Sequence, residues 1–98
     1  MAQADYGWQA YGVELGRNLQ RARTARGLSQ EAVAHRTGIA ANTYQRYEQG
    51  QSKPGEPMNP TMVNLLWLSH VLRVPLADLL PAFEPALESA LEPDRAAD

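Results

Sequence analysis

Gly38 stands between two short stretches of helical periodicity, and that arrangement restricts the fold more than any other feature of the chain. The stretch LSQEAVAHRTGIAANTYQRYEQG covers residues 28–50. Ser29 suits a helix start, because its hydroxyl accepts from a backbone N–H that the helix itself leaves unpaired, and Glu31 suits the positive end of the helix dipole. Val33 and Ala34 face inward on this helix. Gly38 then supplies the turn, since a residue without Cβ takes positive φ without strain. The next helix is predicted from about Ala41 to Gln49, stopped by Gly50, with Tyr44 and Tyr47 on its inner side. Polar side chains cluster on the rest of it: Asn42, Thr43, Gln45 and Arg46. Helices this short are marginal alone in water, so the rest of the chain must hold them.

The flanking sequence supplies that support. From Val13, Leu15, Leu19 and Ala22 recur at spacings of four and three and form one apolar stripe, which Gly27 ends. Residues 1–12 mix Gly7 and Gly12 with Tyr6, Trp8 and Tyr11, and read as a loose arm or an extra helical turn. Residues 51–60, QSKPGEPMNP, hold three prolines and a glycine and read as a loop. A fourth helix is predicted from about Thr61 to Leu72, with Pro60 just before or inside its first turn and a stripe of Leu65, Leu68 and Leu72. Pro75 opens a short fifth helix carrying Leu76, Leu79 and Leu80. Residues 81–98 are rich in Pro, Ala and Glu; Pro85 to Glu92 suits two helical turns bounded by Pro93, which need a docking surface. With no repeats and no strand alternation, the expected class is all-α: a five-helix domain over residues 13–80, an N-terminal arm and an acidic C-terminal tail.

A chain of 98 residues is one small domain, without room for separate catalytic or sensing domains. The absence of cysteine excludes a disulfide framework and thiolate metal sites, and His35 and His70 stand apart from carboxylates at ligand spacing. No metal or cofactor is expected. No nucleophile–base pair or phosphate loop points to an enzyme, and the prolines of Lys53–Pro57 (KPGEP) remove the backbone donors a phosphate cradle needs. No apolar run has membrane-spanning length and no signal pattern opens the chain, so the cytosol, on the nucleoid, is the expected place. The net charge of −2 hides a division. Residues 17–53 carry seven basic side chains against two acidic, whereas residues 54–98 carry two basic against seven acidic. Phosphates respond to the local field rather than to the total.

Two short helices joined at a glycine, the second with a polar outer face in a basic segment, form the pattern of a DNA-binding helix-turn-helix. Three blocks of the chain then resemble the Cro/C1-type (phage-repressor-like) family. Leu15–Gln30 (LGRNLQRARTARGLSQ) is similar to that family's first helix and its Gly-Leu-Ser-Gln junction. Gly38–Gly50 (GIAANTYQRYEQG) is similar to its turn and recognition helix, and Asn59–Leu80 (NPTMVNLLWLSHVLRVPLADLL) to its fourth and fifth helices. The resemblance spans residues 15–80 and implies the five-helix lambda-repressor-like fold. Two departures stand out. The loop between Gly50 and Asn59 is longer than usual, and Ala40 and Ala41 open the recognition helix where polar residues are common.

Asn42, Gln45 and Arg46 sit three and four apart and share an outward face. Their amide and guanidinium groups can bond adenine or guanine edges in pairs. By resemblance Asn42 and Gln45 are the base readers, with Arg46 divided between base and phosphate. Gln30, at the start of the second helix, suits a phosphate, as the matching glutamine does in the family. Thr43 suits a phosphate, a cap or a packing role, and Arg17 and Lys53 are phosphate contacts or simply solvated charges. The resemblance also implies a structural ion pair between Arg23 and Glu48. Trp67 lies off the core stripe of its helix, either half-covered by the arm or loop or serving as a dimer contact. Phe83, Leu87 and Leu91, spaced by four, suit docking on their own chain, pairing across a dimer or holding a partner protein; a frayed tail is the alternative. The implied function is a transcriptional regulator, a repressor binding a palindromic operator as a homodimer. The alternative is a protein-interaction module, such as an antitoxin that holds its partner through residues 81–98.

Overall fold

The computed structural model describes residues 7–53 and 55–87. In order these form α1 (Trp8–Arg26), α2 (Gln30–Thr37), α3 (Ala41–Gln49), β1 (Gln51–Lys53), β2 (Glu56–Pro57), α4 (Met62–Leu72) and α5 (Leu76–Leu79). The five helices enclose one core, in which Leu15 and Leu19 of α1 meet Val33 and Ala34 of α2, Tyr44 and Tyr47 of α3, Leu68 and Leu72 of α4, and Leu79 of α5.

Local chemistry accounts for most boundaries. The Ser29 hydroxyl accepts from the Ala32 N–H at 3.0 Å and starts α2, and the Thr61 hydroxyl does the same for Asn64 at the start of α4. Gly38 closes α2 in the left-handed region with φ 76°, and its N–H and that of Ile39 return to the carbonyls of the last turn. This tight return sets α3 against α2. Asn18 Nδ2 donates to the Leu79 carbonyl at 2.8 Å and ties the short α5 to α1.

Of the two readings of residues 1–12, residues 8–12 follow the helical one and not the loose arm: α1 begins at Trp8, five residues before Val13, and its first turns lie on the segment after α3. Gln9 Nε2 donates to the Gly55 carbonyl at 3.0 Å, and Gly12 is buried against Gly50 and Met58. Residues 51–57 are not a plain loop but a two-stranded antiparallel ribbon, in which Gln51 faces Pro57 and Lys53 faces Glu56. A strand of two or three residues shows no alternation for sequence to reveal. The fifth helix carries Leu76 and Leu79, with Leu80 just past its end as an exposed cap. The Phe83 ring packs edge-on to Tyr11 at 5.8 Å, so the start of the tail docks on its own chain, at α1. Leu91 and most of the turns expected over Pro85 to Glu92 lie outside the described residues. Among the described residues, no helix is long and apolar enough to cross a membrane.

Candidate nucleic-acid interface

α3 is held from behind by a buried polar group. Arg23 Nε lies 2.6 Å from Glu48 Oε2 and Arg23 Nη2 lies 3.2 Å from Oε1, a bidentate pair with side-chain exposures of 16% and 5%. Arg23 Nη1 also donates to the Leu28 carbonyl at 2.9 Å. The guanidinium therefore joins α1, the α1–α2 junction and α3 at once, a geometry that a lysine ammonium does not offer. Burial alone would raise the Glu48 carboxyl; hydrogen bonds from Arg23, with Tyr44 and Gln30 beside it, hold it below the usual carboxylate range. The fully buried Tyr44 hydroxyl is near enough to favour the charged carboxylate but is not oriented for a regular hydrogen bond. Burial first, and the adjacent Glu48 next, push the tyrosine well above the usual phenol range. The Glu48 pair also holds Arg23 above its ordinary range, against the effect of burial.

With Tyr44 and Tyr47 buried, Asn42, Gln45 and Arg46 are exposed on the opposite side of α3. Among the described residues, none of the three makes a hydrogen bond or ion pair with its own chain. Ala40 provides no side-chain cap, so the first N–H groups of α3 keep their donors free at the same end as Asn42. Thr43 is half-buried and does not cap the helix.

The remaining positions divide. Gln30, half-buried at the start of α2, donates from Nε2 to Glu48 Oε1 at 2.8 Å. An amide nitrogen has two protons, so one serves the buried carboxylate and the second stays available at the α2 N-terminus. Arg17 lies 3.6 Å from Glu14, and the same carboxylate takes Arg21 at 3.1 Å. Lys53 is exposed on β1 opposite Glu56. Trp67 is half-exposed and its ring neighbour is His70, edge-on at 6.3 Å.

Two contacts that set the site were not read from the sequence. Asn64 Nδ2 donates to the Tyr47 hydroxyl at 3.0 Å and pins α3 to α4. Gly16 lets α1 reach the end of α3: a Cβ there would stand 2.5 Å from the Tyr47 carbonyl oxygen and 2.7 Å from that of Glu48. A glycine inside a strong helical pattern is the signal that could have marked this approach.

The controller protein C.AhdI of a restriction-modification system, from Aeromonas hydrophila, is 32% identical over 72% of this chain and 98% of its own, with a TM-score of 0.63. SinR, described as a master regulator of biofilm formation and solved in complex with DNA, is 25% identical over 66% of this chain and 95% of that one, with a TM-score of 0.58. A SinR–SinI complex, at 21% identity and a TM-score of 0.60, covers 85% of this chain and 80% of that one and shares the fold. No curated protein matches the chain. The helix-turn-helix domain family matches residues 14–76, which run from α1 to the start of α5 and include the whole polar face of α3. With that match over most of its length and its five helices in the phage-repressor arrangement, the chain belongs to the Cro/C1-type helix-turn-helix family.

Proposed function

We propose that this protein is a sequence-specific DNA-binding transcriptional regulator, a repressor that occupies a two-fold symmetric operator as a homodimer. The observation that carries the reading is the unpaired polar face Asn42, Gln45 and Arg46 on a helix whose back is locked by Arg23 and Glu48. Base readout needs paired donors and acceptors held rigidly at the groove, because disorder in the free side would offset the gain of each bond. Asn42 and Gln45 read bases, and Arg46 reaches a base or the adjacent phosphate. Gln30, through its second amide proton, and Thr43 hold phosphates, which positions the helix without selecting sequence. Arg17 and Lys53 add phosphate contacts at the edge, each from beside an acidic neighbour. The similarity to C.AhdI, a controller protein, and to SinR, solved with DNA, supports the same reading. Since Phe83 already packs on Tyr11, a partner protein held by the tail is the weaker alternative.

Selection from a random duplex pool at physiological salt tests this. The expected result is a short symmetric motif, with half-sites about one helical turn apart. In Gln45→Ala, preference at one base pair per half-site falls by about 1–3 kcal/mol while the other positions hold. In Lys53→Ala, all sequences weaken alike and the slope of log K against log salt becomes shallower by roughly 0.9 per protomer. Binding without any enriched motif would reject the proposal.

A further inference from the structure

We propose that the outer face of α4 is the two-fold contact through which two copies of this chain pair; this rests on the homodimer reading above and gives it a surface. α4 contains no Asp, Glu, Lys or Arg. Leu68 and Leu72 turn into the core with Leu65 beside them, and at about 100° per residue Met62, Val63, Leu66, Trp67 and His70 fall together on the other side. The first four of these are 64%, 62%, 52% and 50% exposed, and Val63, Leu66, Trp67 and His70 line an open, shallow cavity of about 360 Å³.

A patch of this kind suits an occupant, because contiguous apolar patches toward the upper end of what monomers carry, about 300–600 Å², are often functional. Its chemistry selects a second copy. With no Asp, Glu, Lys or Arg on the helix, and Arg73 only at its C-cap, the face itself favours an apolar partner over an acidic or a basic one. The face is centred between Leu66 and Trp67, so a two-fold axis there lays the same residues of each copy against one another, with Val63 opposite His70. The antiparallel crossing also places each helix dipole's positive end by the other's negative end. The five side chains expose on the order of 500 Å² per copy, so two facing copies bury up to about 1,000 Å², the threshold size of a biological interface and the size of a weak, reversible dimer. Leu66 and Trp67 at the centre are the anchors. From the other side of α4, Asn64 holds the Tyr47 hydroxyl, so the pairing would set the spacing of the two α3 helices through one hydrogen bond.

The test is sedimentation equilibrium of the full chain beside Leu66→Asp and Trp67→Glu, with helicity followed by circular dichroism and affinity measured on a single half-site and on the full selected site. Both positions are half-exposed, so the variants are expected to keep wild-type helicity and half-site affinity. The wild type is expected to be a dimer, with the dimer Kd rising about 30-fold or more in each variant and full-site affinity falling with it. A wild-type dimer that persists undiminished in both folded variants overturns this face and leaves the homodimer reading intact. A wild type that stays monomeric both free and on its selected DNA overturns the two together.

Discussion

Arg23→Ala is expected to lower the unfolding free energy by about 3 kcal/mol or more at neutral pH, because it leaves the Glu48 carboxylate buried without its cation. Glu48 is only 5% exposed, and Gln30 alone cannot replace a bidentate guanidinium. Glu48→Ala is expected to cost less, since Arg23, at 16% exposure, keeps a route to water and still holds the Leu28 carbonyl. The pH dependence separates a lost charge pair from lost packing. In the wild type the Glu48 pKa is lowered, so its contribution is complete above the unfolded value near 4.5 and is lost as pH falls below it. In Arg23→Ala the burial that raises a carboxyl loses its largest opponent and meets only the neutral donors Gln30 and Tyr44, so the folded state is expected to bind the proton more readily than the unfolded one. The variant therefore regains stability on acidification while the wild type loses it, and the two curves converge. Urea melts between pH 4 and 7 measure this; a constant gap across that range would mean that the pair contributes shape rather than charge.

Gly16→Ala is expected to destabilise by roughly 1–3 kcal/mol, although alanine is the better helix former by about 1 kcal/mol. The added methyl would stand 2.5 and 2.7 Å from carbonyl oxygens of α3. Backbone atoms cannot rotate away as a side-chain end can, so α1 and α3 must separate. Separation also stretches the Arg23–Glu48 pair, which bridges the same two helices. DNA affinity is therefore expected to fall for all sequences alike, since a displaced recognition helix loses every contact together. Chemical denaturation gives the first quantity and binding to the selected motif and to random duplex the second. A Gly16→Ala protein more stable than the wild type would show that the two helices have room to spare.

The parts of this protein legible in its sequence are those with local causes. Ser29, Gly38 and Gly50 delimit α2 and α3 because caps and positive φ act within one turn. The division of α3 into buried tyrosines and exposed Asn42, Gln45 and Arg46 follows from helical period alone. By contrast, no spacing connects Arg23 with Glu48, 25 residues apart; at the level of sequence only the family resemblance joined them. Trp67 admits two readings at the level of sequence, since which side of a helix its neighbours cover is a question about those neighbours.

The sequence by itself determined where α1 ends and where α2, α3, α4 and α5 begin and end, which faces turn inward, and where polar groups suited to DNA are exposed; each depends on residues within a few positions of one another. Tertiary structure alone decided that α1 starts at Trp8 and braces the ribbon through Gln9, that Gln30 shares its amide with Glu48, that Tyr47 is pinned by Asn64, and that Gly16 admits α3. Those contacts join segments 17 to 46 residues apart, where apolar period carries no information about partners and only the closing of the core brings them within reach.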